Sequence, residues 1–163
     1  MKIVVCVKQV PDTTEIKIDP VKNTLIRTGV PSILNPFDRN AVETALQLKD
    51  TYGGEVTVLS MGPPQAKAVL REALSMGADR AYLITDRAFG GSDTYATSYI
   101  LSSAIRHLGP FDVVLGGKQA IDGDTGQTAP SIAEHLGMIR LTYIVSMEIK
   151  GDKVIAKRQV EEG

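Results

Sequence analysis

The residues best suited to chemistry in this sequence stand in one stretch, Gly117-Lys118-Gln119-Ala120-Ile121-Asp122-Gly123-Asp124-Thr125-Gly126-Gln127-Thr128. Glycines let main chain approach a ligand closely, and Asp124 or Thr125 can cap the helix that the following apolar spacing predicts. Unpaired N–H groups at that helix start, with the hydroxyls of Thr125 and Thr128, form a cradle for phosphate. A polar loop ahead of a capped helix, with no ligand at all, accounts for the same residues. On the residues alone both readings stand. The carboxylates of Asp122 and Asp124 oppose a phosphate directly beside them; capping, or hydrogen bonding to sugar hydroxyls, is their other use.

Three further segments carry weaker signals. Asn35-Pro36-Phe37-Asp38 combines an N-cap residue with proline at the first helical position, and simple helix initiation explains it fully. Met61-Gly62-Pro63-Pro64 permits close backbone approach to a planar ring but is also ordinary helix punctuation. Phe89-Gly90-Gly91-Ser92-Asp93-Thr94, with Thr97 one turn on, superficially resembles the pyrophosphatase loop of ATP-consuming synthetases. That loop follows the first strand; this one follows the third, and the likeness is set aside. Groups for covalent catalysis are scarce. His107 and His135 fall near helix ends, where the dipole or carbonyl capping accounts for them. Cys6 ends a strand and reads as a small packed thiol. The sequence contains no Gly-x-Ser-x-Gly elbow, metal-spaced histidine pair or Gly-x-Gly-x-x-Gly fingerprint.

These segments need a scaffold, and the sequence alternates strand-like and helical patterns that supply one. Short apolar runs at Lys2–Val7, Glu55–Ser60, Ala81–Thr85 and Asp112–Leu115 suit parallel strands covered on both faces. Between and after them, helical spacing recurs at Ala41-Thr44-Ala45-Leu48, Val69-Ala73-Met76, Ala96 to Ala104 and Ala129-Ile132-Ala133-Leu136. Gly53-Gly54, Gly77, Gly109-Pro110 and Gly137 punctuate the helix ends. The expected fold is α/β: a doubly wound, Rossmann-like, mostly parallel sheet of five or more strands, of the kind seen in adenine-nucleotide hydrolases. Pro11–Leu34 is too long for an ordinary connection. Alternation at Ile16, Ile18 and Leu25 around a turn at Asp19–Asn23 predicts a β-hairpin excursion after the first strand. Leu141–Val160 reads as two strands joined at Gly151-Asp152.

In such sheets ligands sit beyond the carboxyl ends of the strands, where strand order reverses. Cys6–Gln9, Asn35–Asp38, Met61–Pro64, Asp86–Thr97 and Gly116–Thr128 all fall there. Composition narrows the rest. The 163 residues suit a single domain over 1–163, and a net charge of −1 gives no basic surface for nucleic acid. The apolar runs are too short for membrane insertion. One cysteine excludes an internal disulfide or a multi-cysteine metal site, and a cytoplasmic location is expected. Nothing marks a domain end at Glu161-Glu162-Gly163, so a C-terminal continuation is expected to be absent here.

Four stretches together resemble the electron transfer flavoprotein β subunit: Lys2–Thr13 with Val7-Lys8-Gln9-Val10-Pro11-Asp12, the Asn35-Pro36-Phe37 helix start, Met76-Gly77-Ala78-Asp79-Arg80, and above all Gly117–Thr128. The resemblance runs the length of the chain. It implies a heterodimer with an α subunit that holds one FAD, and a β subunit that holds AMP or, in electron-bifurcating members, a second FAD. Carried over by position, the nucleotide contacts would be Cys6, Asn35, Pro36, Phe37, Asp38, Met61 and each residue from Gly117 to Thr128. For Asn35 the resemblance displaces the plain helix-start reading.

Val10-Pro11-Asp12-Thr13 and Asp86–Thr94 are similar to the bifurcating members. There the β-bound FAD takes hydride from NADH and passes single electrons to a high-potential acceptor and to ferredoxin or flavodoxin. An acyl-CoA dehydrogenase or similar flavoenzyme is the implied docking partner. Asp93, Thr94 and Thr97 join the expected cofactor contacts because they cap the helix below the glycine loop. On this reading the chain is an electron carrier, redox-active with NADH only in the bifurcating case. The alternatives are a subunit holding AMP as a structural element, or an ATP-hydrolysing module of the same architecture.

Overall fold

The computed structural model of the protein describes residues 1–12, 17–18, 21, 25–26 and 30–161. Its strands in chain order are β1 (Lys2–Cys6), β2 (Gln9–Pro11), β3 (Lys17–Ile18), β4 (Leu25–Ile26), β5 (Ser32–Leu34), β6 (Glu55–Met61), β7 (Arg80–Ile84), β8 (Val113–Gly116), β9 (Ile144–Lys150) and β10 (Lys153–Arg158). The helices are α1 (Pro36–Tyr52), α2 (Lys67–Met76), α3 (Thr94–Leu108) and α4 (Thr128–Leu136).

The central sheet is parallel with order β7-β6-β1-β8. Ile3, Val4 and Val5 of β1 are wholly buried, which a strand in the middle of a sheet covered on both faces requires. Alternation along the strands divides the core in two. Ile3, Val5, Val56 and Val58 pack with Val42, Ala45, Val69 and Ala73 of α1 and α2. Val4 and Leu59, on the other face, pack with Leu101 and Ile105 of α3 and Ile132 of α4. Helices thus lie on both faces, as the strand–helix alternation predicts. Main-chain N–H groups of Gly53, Gly77 and Gly137 close the last turns of α1, α2 and α4, as their positions imply.

The expectation of five or more strands in that sheet is corrected to four among the described residues. The tail does form two strands about Gly151, but they pair antiparallel with each other. Met147 and Ile149 pack against the α1–α2 core, and the Tyr52 hydroxyl accepts the Ile149 N–H at 3.0 Å. The hairpin therefore docks beside the sheet without extending it. The excursion is antiparallel as expected, with β3 against β4 and β2 against β5. Ile16 and the Asp19–Asn23 turn, Val21 apart, lie outside the described residues, as do Thr13, Glu162 and Gly163.

Chain order places the site. From β1 the chain builds outward through β6 to β7, then crosses back to lay β8 on the other side of β1. The reversal falls between β1 and β8, so the carboxyl ends of those strands, Cys6 and Gly116, flank the crevice.

Candidate functional site

Three segments meet at that crevice: the turn after β1, the start of α1, and the loop between β8 and α4. Asn35 joins two of them. It is fully buried at the N-cap position of α1, yet its side chain makes no capping hydrogen bond. Its Nδ2 donates to the Gln119 carbonyl at 2.9 Å, and its Oδ1 accepts the Ile121 N–H at 3.2 Å. The Asn35 main-chain N–H donates to the Lys8 carbonyl at 2.9 Å. Helix initiation falls instead to Pro36, whose missing N–H costs nothing at that position. The amide reads loop main chain as a donor–acceptor pair, which it does without titrating at any ordinary pH.

Asp38 joins all three segments. Its carboxylate accepts the Lys8 N–H at 2.8 Å and the Gly117 N–H at 3.0 Å. Burial pushes its pKa up to about 6, against the pull of hydrogen bonds from Asn35, Lys8 and Gly117 and of the Lys8 charge. Burial, with the Asp38 charge added, also pushes the Cys6 thiol up to about 12. Cys6 lies beside Gly116, Ala129, Ile132 and Ile139 around an apolar cavity of about 60 Å³. A thiol so disposed is held in its protonated form at neutral pH.

The loop from Gly117 to Thr128 is thus held from below by two buried side chains. Its own carboxylates turn to protein partners. Lys8 Nζ sits 2.8 Å from Asp122, and Gln119 Nε2 donates to Asp124 at 2.9 Å. The expected cap is corrected: Gln127 occupies the N-cap of α4, and no side chain caps the helix. Asp124 has the left-handed φ of 53° and is engaged with Gln119, while Thr125 Oγ1 reaches only the Gln127 N–H, at 3.5 Å. Because Pro130 carries no N–H, the donors left at the start of α4 are those of Thr128 and Ala129. Among the described residues neither has a hydrogen-bond partner. Gly126, with φ of 63°, makes the turn into the helix at little cost. Two free amides, the helix dipole, the Thr125 and Thr128 hydroxyls and the exposed Lys118 ammonium suit an anionic group, and phosphate fits them.

The remaining expected contacts lie apart from this loop. Pro36 is exposed and Phe37 half-buried at the first turn of α1. Met61 ends β6, one strand from β1, and packs on the α3–α4 side. Asp93 caps α3 as expected, accepting the Ala96 N–H at 2.8 Å, with Thr94 and Thr97 in the first turn. Among the described residues no hydrogen bond or ion pair ties Asp93, Thr94 or Thr97 to residues 117–128. His135, in the last turn of α4, packs edge-on against Tyr95 and Tyr99 at 5.3 and 5.8 Å. No described helix is long and apolar enough to cross a membrane, and the described residues hold no group of three or more metal-ligating side chains.

The sequence gave no sign of Lys8 as a partner for Asp122, and it offered Asp38 as a nucleotide contact where the structure shows it accepting the main-chain N–H groups of Lys8 and Gly117. One signal for Asp38 was present. Asp38, Ala41, Val42 and Ala45 share the i, i+3, i+4, i+7 spacing of the buried face of α1, so a carboxylate there must find partners inside.

Comparison with known proteins adds a family. A model of the electron transfer flavoprotein domain matches residues 22–163. The electron transfer flavoprotein β subunit of Clostridium acetobutylicum is 61% identical over the whole of this chain, which covers 62% of that protein. The same subunit of Thermoanaerobacterium thermosaccharolyticum is 58% identical, again with 62% covered. CarD, a subunit of the caffeyl-CoA reductase–Etf complex of Acetobacterium woodii, is 57% identical, with 63% of its length covered. The chain spans under two thirds of the length of these curated relatives.

Proposed function

The chain belongs to the electron transfer flavoprotein domain family, and from that premise we propose that it is the nucleotide-holding part of a β subunit. It works with an α subunit to pass electrons between NADH or a dehydrogenase and downstream acceptors. The observation that carries the reading is the loop at the switch point. Its carboxylates are engaged by Lys8 and Gln119, while the N–H groups of Thr128 and Ala129 have no hydrogen-bond partner among the described residues. The bound nucleotide is FAD, which supplies the redox chemistry when present. The chain's own residues bind and orient it: the α4 amides and the Thr125 and Thr128 hydroxyls take phosphate, with Asn35 and Asp38 fixing the loop. Cys6, at the end of β1, borders the crevice, and Met61 at the end of β6 with Asp93, Thr94 and Thr97 at the start of α3 are the further cofactor contacts of this proposal, away from the loop.

The similarity to CarD, a subunit of a caffeyl-CoA reductase–Etf complex, supports docking to an acyl-CoA dehydrogenase or similar flavoenzyme. The proposal extends to electron bifurcation to ferredoxin or flavodoxin, in the cytoplasm. The test is the nucleotide released on denaturing the purified complex of full-length α and β subunits. Two FAD per αβ pair support bifurcation. One FAD and one AMP identify the β site as a structural AMP site, with electron traffic confined to the α-bound flavin. Gly126→Val and Thr128→Val should each lower nucleotide retention after dialysis, with circular dichroism confirming the fold. Losing one charge-assisted hydrogen bond costs about 1.5–3 kcal/mol, or roughly one to two decades in affinity. If both folded variants keep their nucleotide as tightly as the parent, the loop is not the phosphate site.

A further inference from the structure

Just before the tail hairpin, Tyr143 holds the left-handed φ of 56°, a conformation costly for a residue with a bulky side chain. Two features hold it there. Its carbonyl accepts the Gln159 N–H at 2.8 Å. The β9–β10 register slips beside it: Arg158 pairs with Ile144 but Lys157 with Ser146, which leaves Val145 as the extra residue of a bulge. The result aims the ring at two cations. Lys118 Nζ lies 5.3 Å from the ring centroid and the Arg158 guanidinium carbon 5.9 Å from it. Among the described residues neither cation has a carboxylate within ion-pair distance.

Lys118 is the second residue of the candidate nucleotide loop, and its setting contrasts with that of Lys8. A carboxylate partner, as Lys8 has in Asp122, orders an ammonium but cancels its charge. An aromatic face orders it and leaves the charge uncancelled. An ammonium held in advance also loses less rotamer freedom when an anion arrives. We propose that Tyr143 is a positioning residue of the nucleotide site, holding Lys118 over its ring so that the loop presents a preordered, uncancelled positive charge to the nucleotide phosphate. The segment leading into the tail hairpin thereby joins the β8–α4 loop, the turn after β1 and the start of α1 in forming the site. The inference rests on the loop being the phosphate site, as proposed above.

The test uses AMP, the part common to both candidate nucleotides, titrated calorimetrically into the full-length αβ complex after its bound nucleotide has been removed. Tyr143→Phe keeps the ring and should bind AMP within about twofold of the parent. Tyr143→Leu should weaken binding about two- to fivefold and flatten its salt dependence, with thermal melting confirming the fold. Lys118→Met should show a loss at least as large, and adding Tyr143→Leu to it should cost nothing more. Additive losses, or a Tyr143→Leu protein indistinguishable from Tyr143→Phe, overturn the proposal. Parent-like affinity in Lys118→Met, with AMP binding lost in Gly126→Val, overturns it while leaving the loop as the phosphate site. Undiminished AMP binding by Gly126→Val overturns both.

Discussion

Gly117 donates its N–H to Asp38 Oδ1 at 3.0 Å, and a β-carbon on residue 117 would stand 2.4 Å from that same oxygen. The contact joins the start of the candidate loop to the first turn of α1 across 79 residues of sequence. It makes glycine at this position a packing requirement of the site floor. The nucleotide need not touch Gly117 for a side chain there to disrupt binding.

Gly117→Ala should therefore destabilise the protein. The added carbon would also meet main-chain atoms of Phe37 and Asp38 at 2.6 and 2.7 Å, and main chain cannot swing aside as a side chain does. Overpacking of this kind costs about 1–3 kcal/mol. Urea denaturation of parent and variant measures it, and a midpoint unchanged within error would contradict the packing described here.

Asp38 gives a signed pH dependence. Its folded pKa of about 6 stands above the ordinary value of about 3.9, so between those values the folded state binds the extra proton. Its contribution is fully present below about pH 4 and is lost as pH rises through about 6. The amount is on the order of 2–3 kcal/mol. Asp38→Asn removes the titration while keeping the volume. The stability of the parent relative to the variant should therefore fall between pH 4 and pH 7. Parallel stability curves across that range would show that Asp38 does not titrate as described.

The four parallel strands, the four helices and the position of the candidate loop were legible in the sequence because each rests on local signals. Continuous Val/Ile runs mark buried strands, three-four spacing marks helices, and glycine marks turns. What was not legible depends on partners distant in sequence. Asn35 looked like a helix cap because its amide partners, Gln119 and Ile121, are 84 and 86 residues away. Asp124 and Thr125 looked like caps for α4, but the left-handed turn at Asp124 sends its carboxylate to Gln119. Tyr143 carries no local mark of positive φ, since the bulge that produces it belongs to strand register. The tail hairpin was expected; a central sheet of four strands among the described residues was not.

Cys6 should be inert toward alkylation in the folded protein. With its thiol pushed up to about 12, the thiolate fraction at pH 8 is lower by about a thousandfold or more than for an unperturbed cysteine. Iodoacetamide labelling followed by mass spectrometry, native against urea-unfolded, reads this directly. Cys6→Ser should leave electron transfer largely intact at full cofactor occupancy. Rapid native labelling, or loss of activity at full occupancy, would give the thiol a role that its surroundings do not suggest.

Asn35→Asp is the sharpest test of what holds the loop. The substitution keeps the oxygen that accepts the Ile121 N–H but replaces the donor to the Gln119 carbonyl with a second acceptor. Two oxygens would then face each other in a fully buried position, and a second carboxylate would join Asp38 nearby. Asn35→Ala instead leaves the Gln119 carbonyl and the Ile121 N–H without partners, at about 1–3 kcal/mol for each group that water cannot reach. Both variants should loosen residues 117–128 ahead of the rest of the fold. Faster amide hydrogen exchange at Ile121, with β1 and β6 still protected, would register that loosening. Asn35→Asp should be the worse of the two at neutral pH, because it adds repulsion to a lost bond. It should recover in part as the pH falls, because burial and the neighbouring carboxylate favour uptake of a proton by the new carboxyl, which can then donate to the Gln119 carbonyl. Equal exchange at Ile121 in parent and both variants would mean that the loop holds its shape without Asn35.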